Sequence, residues 1–156
     1  MRLITSILLV SLWAITATQA QSNNKRKDPD TFVNLDKQGV IIRGYDAVAF
    51  FTQNKAVKGS SDFKSTYKGA IYQFATKDNK ALFDANPEMY KVQFGGWCAY
   101  AVSKGGKAPI DINTWSIQNG RLIFQYNQRI AKIWSGDPDS YLEKADQNWP
   151  KVAGRF

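Results

Sequence analysis

An α+β fold, a small antiparallel sheet of hairpins with helices packed on it, is predicted by three observations. Asn119-Gly120 is the dipeptide preferred in a type I′ turn, and apolar residues alternate on both sides of it. Lys68-Gly69 interrupts a second patterned stretch, Phe63 to Phe74. Tyr141, Leu142, Ala145 and Trp149 recur at helical spacing after Asp137-Pro138. A chain of 156 residues accommodates one domain, and no internal repeat is visible in it.

Residues 1–20 read as a signal peptide. Arg2 supplies the positive start, Ile4 to Ile15 the apolar stretch, and Thr18-Gln19-Ala20 a small-x-small cleavage site. The apolar run is shorter than the roughly 20 residues that span a bilayer. No cysteine follows the cleavage site, so lipid attachment there is excluded. Residues 21–37 are expected to form a disordered leader, polar and charged through Asp30, and residues 38–156 the domain.

Within the domain, Val40-Ile41-Ile42 and Ala47-Val48-Ala49-Phe50-Phe51 are short apolar runs on either side of Gly44-Tyr45-Asp46, and both are expected as extended segments. A hairpin about Lys68-Gly69 sets Phe63 against Phe74 and Ser65 against Tyr72. Thr76 is a suitable N-cap for a helix over Lys77 to Ala85, with Ala81, Leu82 and Ala85 on one side. Asn86-Pro87 stops that helix. The hairpin about Asn119-Gly120 sets Ile117 against Leu122 and Trp115 against Phe124. The last helix starts at Asp137-Pro138, with Pro at its first position, and is expected to end at Pro150.

Composition excludes several chemistries. Histidine is absent, which removes the commonest general base, the histidine-dependent triads and the usual zinc or copper ligand. One cysteine forms no internal disulfide and no four-cysteine zinc site. The net charge is +8, but the basic residues are spread and only Lys25-Arg26-Lys27 cluster, so neither nucleic acid nor a membrane surface is the expected partner.

Candidate site residues come from two segments. In Gly95-Gly96-Trp97-Cys98-Ala99-Tyr100, the glycines allow close backbone approach or positive φ beside the only thiol. Cys98 is read either as a nucleophile, redox thiol or soft-metal ligand, or as a buried structural residue. Tyr45 and Asp46 either present a polar site in an apolar wall, or Asp46 caps backbone N–H groups. Asp111 reads as a turn acceptor. The aromatic residues Tyr67, Tyr72, Phe74, Trp97, Tyr100, Trp115, Phe124, Tyr126, Trp134 and Trp149 furnish a core and the walls of any pocket in it.

Gly44-Tyr45-Asp46-Ala47-Val48-Ala49-Phe50-Phe51, Val57-Lys58-Gly59-Ser60, Tyr67-Lys68-Gly69-Ala70, Phe83 to Tyr90, Gly95 to Tyr100, Trp115 and Ala145 to Pro150 together resemble the YHS-domain family, over roughly residues 38 to 152. The resemblance is to its small exported stand-alone bacterial branch, and it implies a compact α+β domain built around a hairpin and a helix. Other branches are similar to metal-associated modules of heavy-metal ATPases and multicomponent oxygenases, with added cysteines. This chain has Phe74-Ala75-Thr76 where those branches have a cysteine, lacks a second cysteine before Phe83, and lacks the histidine of the family name. Metal binding is therefore not carried over.

The resulting expectation is an exported protein, periplasmic or secreted, with no enzymatic activity and no cofactor. It would be a binding module for an unidentified small molecule, with a pocket formed by Tyr45, Asp46, Trp97, Cys98 and Tyr100. The alternative is an accessory protein handling a soft metal ion such as copper, through Cys98 with Met89 or a carboxylate. No stable membrane insertion is expected after cleavage of the signal peptide.

Overall fold

The computed structural model describes residues 28–155. The expected signal peptide and the leader through residue 27 lie outside the described residues. Among these residues the chain forms six α-helices and two two-stranded antiparallel sheets, an α+β arrangement. The elements are α1 (Ala47–Thr52), β1 (Ser60–Tyr67), β2 (Ala70–Phe74), α2 (Lys77–Ala85), α3 (Pro87–Tyr90), α4 (Ala99–Ser103), β3 (Asp111–Gln118), β4 (Arg121–Gln125), α5 (Gln128–Trp134) and α6 (Pro138–Ala153). A short 3₁₀ turn lies at Pro29–Thr31, and tight turns with positive φ lie at Ile42–Gly44 and Gln93–Gly96.

The β3–β4 hairpin turns at Asn119 and Gly120 with φ of 51° and 71°, as a type I′ turn requires, and pairs Ile117 with Leu122. An irregularity between Asp111 and Ser116 interrupts the register before Trp115 reaches Phe124. The two rings meet instead through Phe50, 5.1 Å from Trp115 and 5.4 Å from Phe124. The β1–β2 hairpin turns at Lys68-Gly69 and pairs Ser65 with Tyr72. A register shift between Ser60 and Lys64 sets Ser60, not Phe63, opposite Phe74. Such shifts depend on what packs on the strand, here Gly59, whose missing side chain admits the Gln73 backbone.

Two helices also differ from the sequence expectation. The run Ala47–Phe51 is helical, not extended, because Asp46 caps it and every residue from Ala47 to Phe50 is buried. A run buried all round carries no period that separates helix from strand. In α2 the buried face is Asn79 and Phe83, while Ala81, Leu82 and Ala85 are exposed. Phe83 packs 4.5 Å from Tyr72 and 5.1 Å from Phe74, so the large ring sets the face.

Helix α6 begins at Pro138 as expected but runs through Pro150 to Ala153. Proline deletes one helical hydrogen bond, and burial of Trp149, Val152 and Ala153 holds the last turn in place regardless.

The core has two parts. One surrounds Phe50, Phe74, Phe83 and Phe124, under both hairpins; the other joins Phe94, Val102, Trp134, Leu142 and Trp149, under α4 and α6. The segment expected as a leader divides. Residues 28–35 lie on the body as an arm that begins with the Pro29–Thr31 turn: Phe32 stacks on Trp97 with centroids 5.4 Å apart, and Asn34 N–H donates to the Gly95 carbonyl at 2.8 Å. No helix among the described residues is long and apolar enough to cross a membrane.

Candidate functional site

Asp46 is fully buried and its carboxylate accepts four hydrogen bonds. Oδ1 takes the N–H groups of Val48 and Ala49 at 2.9 and 3.2 Å, and Oδ2 takes Ala75 N–H at 2.8 Å and Asn79 Nδ2 at 2.7 Å. One side chain thus joins the start of α1, the end of β2 and the first turn of α2. All four donors are N–H groups, so the carboxylate is engaged as a cap and tie, the simpler of its two expected roles. Tyr45 beside it is half-buried, with the Lys58 ammonium 4.8 Å from its ring centroid. Asp111 accepts Asn113 N–H at 3.0 Å, as a turn acceptor.

Cys98 precedes α4 and is 1% exposed. Its S–H donates to Gln125 Oε1 at 3.4 Å, and the same oxygen accepts Tyr100 N–H at 3.0 Å. Burial pushes the thiol pKa up, against the smaller opposing effect of the backbone N–H groups of Ala101, Tyr126 and Tyr100. A protonated thiol is a weak nucleophile and a poor metal ligand. Met89, its suggested partner, is 50% exposed, so the two sulfurs sit in opposite environments. Among the described residues no three Cys, Asp or Glu side chains converge as metal donors. The donor set does not fit a resident metal ion.

Trp97 and Tyr100 are half-buried and flank Cys98, but they face different neighbours. Trp97 stacks under Phe32, whereas Tyr100 meets Tyr141 at 5.1 Å. Gln125 Oε1 and the backbone hold Cys98 and Tyr100 together, while the Trp97 and Tyr100 rings pack on different neighbours. Tyr45 and Asp46 belong to the separate junction of α1 with β2 and α2.

Two cavities lie nearby, and none of these five residues lines either of them. The smaller, about 20 Å³, has room for a single water molecule beneath Asp30, between Lys68, Lys91 and Gly95. The larger, about 160 Å³, is walled by Leu35, Val40, Ile42, Pro109 and Ile110, with Asn34, Asp36 and Arg43 as its polar groups. One Arg43 Nη2 hydrogen bond, to the Ile110 carbonyl at 2.7 Å, pins the guanidinium there.

The backbone at this cavity is strained. Ile42, Arg43 and Gly44 all adopt positive φ, at 44°, 54° and 72°. A β-branched residue in the left-handed region is an outlier that persists only where its surroundings impose it. Here Ile42 is 2% exposed and fixed within the core. Gly44 alone hinted at this turn in the sequence. Nothing local marked Ile42 or Arg43, because their role depends on residues 34–36 and 109–110 arriving from elsewhere.

Residues 48–93 match the family model of the YHS domain. The chain resembles the YHS family. The match runs from α1 through both strands of the first hairpin and α2 to α3, and ends before Trp97 and Cys98. The YHS segment therefore holds Asp46's partners Val48, Ala49, Ala75 and Asn79, while the larger cavity and the Cys98 environment lie outside it. No curated protein and no solved structure matches the chain.

Proposed function

We propose that this protein is an exported, non-catalytic binding module whose ligand is a small organic anion held in the cavity beside Arg43. The observation that carries the reading is the strained turn at Ile42-Arg43, which presents a guanidinium at the mouth of an apolar cavity of about 160 Å³. A cavity of about 150 Å³ accepts a benzene-sized guest. A guanidinium has five N–H donors in a fork that matches a carboxylate or phosphate. Strain of this kind concentrates at ligand clamps. Asp36 lies on the same wall and disfavours ligands carrying more negative charge than Arg43 offsets.

Three features support the absence of catalysis: the chain has no histidine, its one thiol is buried with a raised pKa, and Asp46 is saturated by N–H donors. Export rests on the form of residues 1–20. The association of YHS domains with copper handling motivates the second reading, a soft-metal accessory role for Cys98. The sealed position of Cys98 weighs against it.

Native mass spectrometry of the protein isolated from its own compartment tests the proposal. Wild type should carry the added mass of a small organic anion, and Arg43→Ala should lose it. A mass equal to the bare chain would contradict the proposal. A copper adduct retained by Arg43→Ala and lost in Cys98→Ser would establish the metal reading in its place.

A further inference from the structure

The arm before the first bridge, residues 28–34, is held by side chains in alternation. The Asp30 carboxylate pairs with the ammonium groups of Lys68 and Lys91, the former at 3.1 Å, and accepts Trp149 Nε1 at 3.2 Å. Phe32 lies on the Trp97 ring, tilted 18° from parallel, and reaches Trp149 at 6.0 Å. The Lys107 ammonium is 5.1 Å from both the Phe32 and the Trp97 centroids. Asn34 donates from its backbone to the Gly95 carbonyl and from Nδ2 to the Gly96 carbonyl at 3.0 Å. Every second residue therefore enters a separate recess of the body: a two-lysine recess, an aromatic one and a backbone one.

The body is shaped for a chain in this place. A Cβ on Gly95 would lie 2.0 Å from the Phe32 carbonyl oxygen, so glycine there leaves room for a passing backbone. The fit is incomplete. Trp97 Nε1 is buried without a hydrogen-bond partner, and the 20 Å³ cavity remains under Asp30. Lys68 and Lys91 also carry Glu88 of the body, so Asp30 shares its cations with a competing carboxylate, while Asp28 of the arm adds to the hold on Lys68.

We propose that the groove under residues 28–34 is a docking site for a peptide that carries a carboxylate on a 3₁₀ turn two residues ahead of an aromatic ring, and that the chain's own arm occupies it in cis. Lys68, Lys91 and Trp149 Nε1 select the carboxylate, Trp97 and Trp149 take the ring, and Gly95 passes the backbone. A cis occupant acts at an effective concentration of about millimolar and masks the site from weak ligands.

The test uses the whole chain and an acetylated peptide with the sequence of residues 28–36, followed by the indole N–H resonances of Trp97 and Trp149. The double variant Asp30→Ala, Phe32→Ala, which removes two of the arm's three recess contacts, should bind the peptide at least about tenfold more tightly than wild type, as expected when a tethered competitor is weakened. Adding Lys68→Gln and Lys91→Gln, or adding Gly95→Ala, should abolish that binding, as should Asp-to-Lys replacement at the peptide position of Asp30. Absence of saturable binding to the folded double variant would overturn the proposal, and so would binding indifferent to the lysine changes. Unfolding of both the double variant and Asp30→Asn would overturn it by showing the arm to be an integral part of the core. A wild-type dimer formed by exchange of arms would overturn it in favour of a second copy as the occupant.

Discussion

Asp46 shows how one residue decides local structure. Its four N–H donors leave no acceptor for a new donor, so Asp46→Asn places an amide N–H₂ against N–H groups. Reorientation of Asn79 relieves one of these clashes, but Val48, Ala49 and Ala75 have no such freedom. Loss of a buried acceptor costs about 1–3 kcal/mol, so Asp46→Asn should lower the unfolding free energy by about 2 kcal/mol in chemical denaturation. An unchanged midpoint would mean that the carboxylate is not the tie. Cys98 follows the same logic of burial. Its thiol should react slowly with a thiol reagent in the native state and quickly once unfolded, and Cys98→Ser should cost about 1 kcal/mol without loss of the fold.

Local chemistry made some elements legible in the sequence and hid others. Asn119-Gly120 carries the conformation of its turn in its own two residues, and the structure has both in the left-handed region. Gly120→Val should therefore cost about 2 kcal/mol, because a β-branched side chain resists that φ. Thermal stability equal to wild type would show that the turn tolerates a side chain. Thr76 was equally readable, since its side chain caps α2 through Asn79 N–H at 3.0 Å. Ala47–Phe51 was not, because a fully buried run has no polar face to give its period. Pro150 misled for a related reason: a local breaker yields when Trp149 and Val152 are anchored on opposite sides of it. The candidate site was hidden most. Trp97, Cys98 and Tyr100 adjoin in sequence, yet the cavities form where residues 34–36, 40–43 and 109–110 meet, or where Asp30 crosses Lys68 and Lys91. The paired glycines 95 and 96 were the one local sign of the arm's passage.

At the scale of the molecule, charge ties the arm to the body and makes its docking depend on pH. Burial alone would raise the Asp30 pKa, but hydrogen bonds from Lys91, Lys68 and Trp149 outweigh it and hold the carboxyl at about 2. A depressed folded-state pKa stabilises above the ordinary value of 3.8, and that stabilisation is lost as pH falls towards about 2. Lys68 and Lys91 are shifted up by the same carboxylates, against their own burial, so their contribution holds below the ordinary lysine value of 10.5 and fades above it. Asp30→Asn should thus be less stable than wild type at neutral pH by about 1 kcal/mol, reduced from the bare shift by partial solvent exposure. The difference should shrink as pH falls from 3.8 through about 2, as read by tryptophan fluorescence in parallel acid titrations. A gap undiminished at about pH 2 would assign it to packing, not charge.

The cavity beside Arg43 lies at the other end of the same arm, where Asn34, Leu35 and Asp36 form one of its walls. The proposed binding of a small organic anion stands or falls on what that cavity holds. The most direct measurement is a crystal structure of the protein isolated from its own compartment, without added ligand. Density for a small organic molecule against Ile42 and Ile110, with an anionic group on the Arg43 guanidinium, is the predicted result. Ordered water alone in that cavity, or a metal ion bound at Cys98, would contradict it.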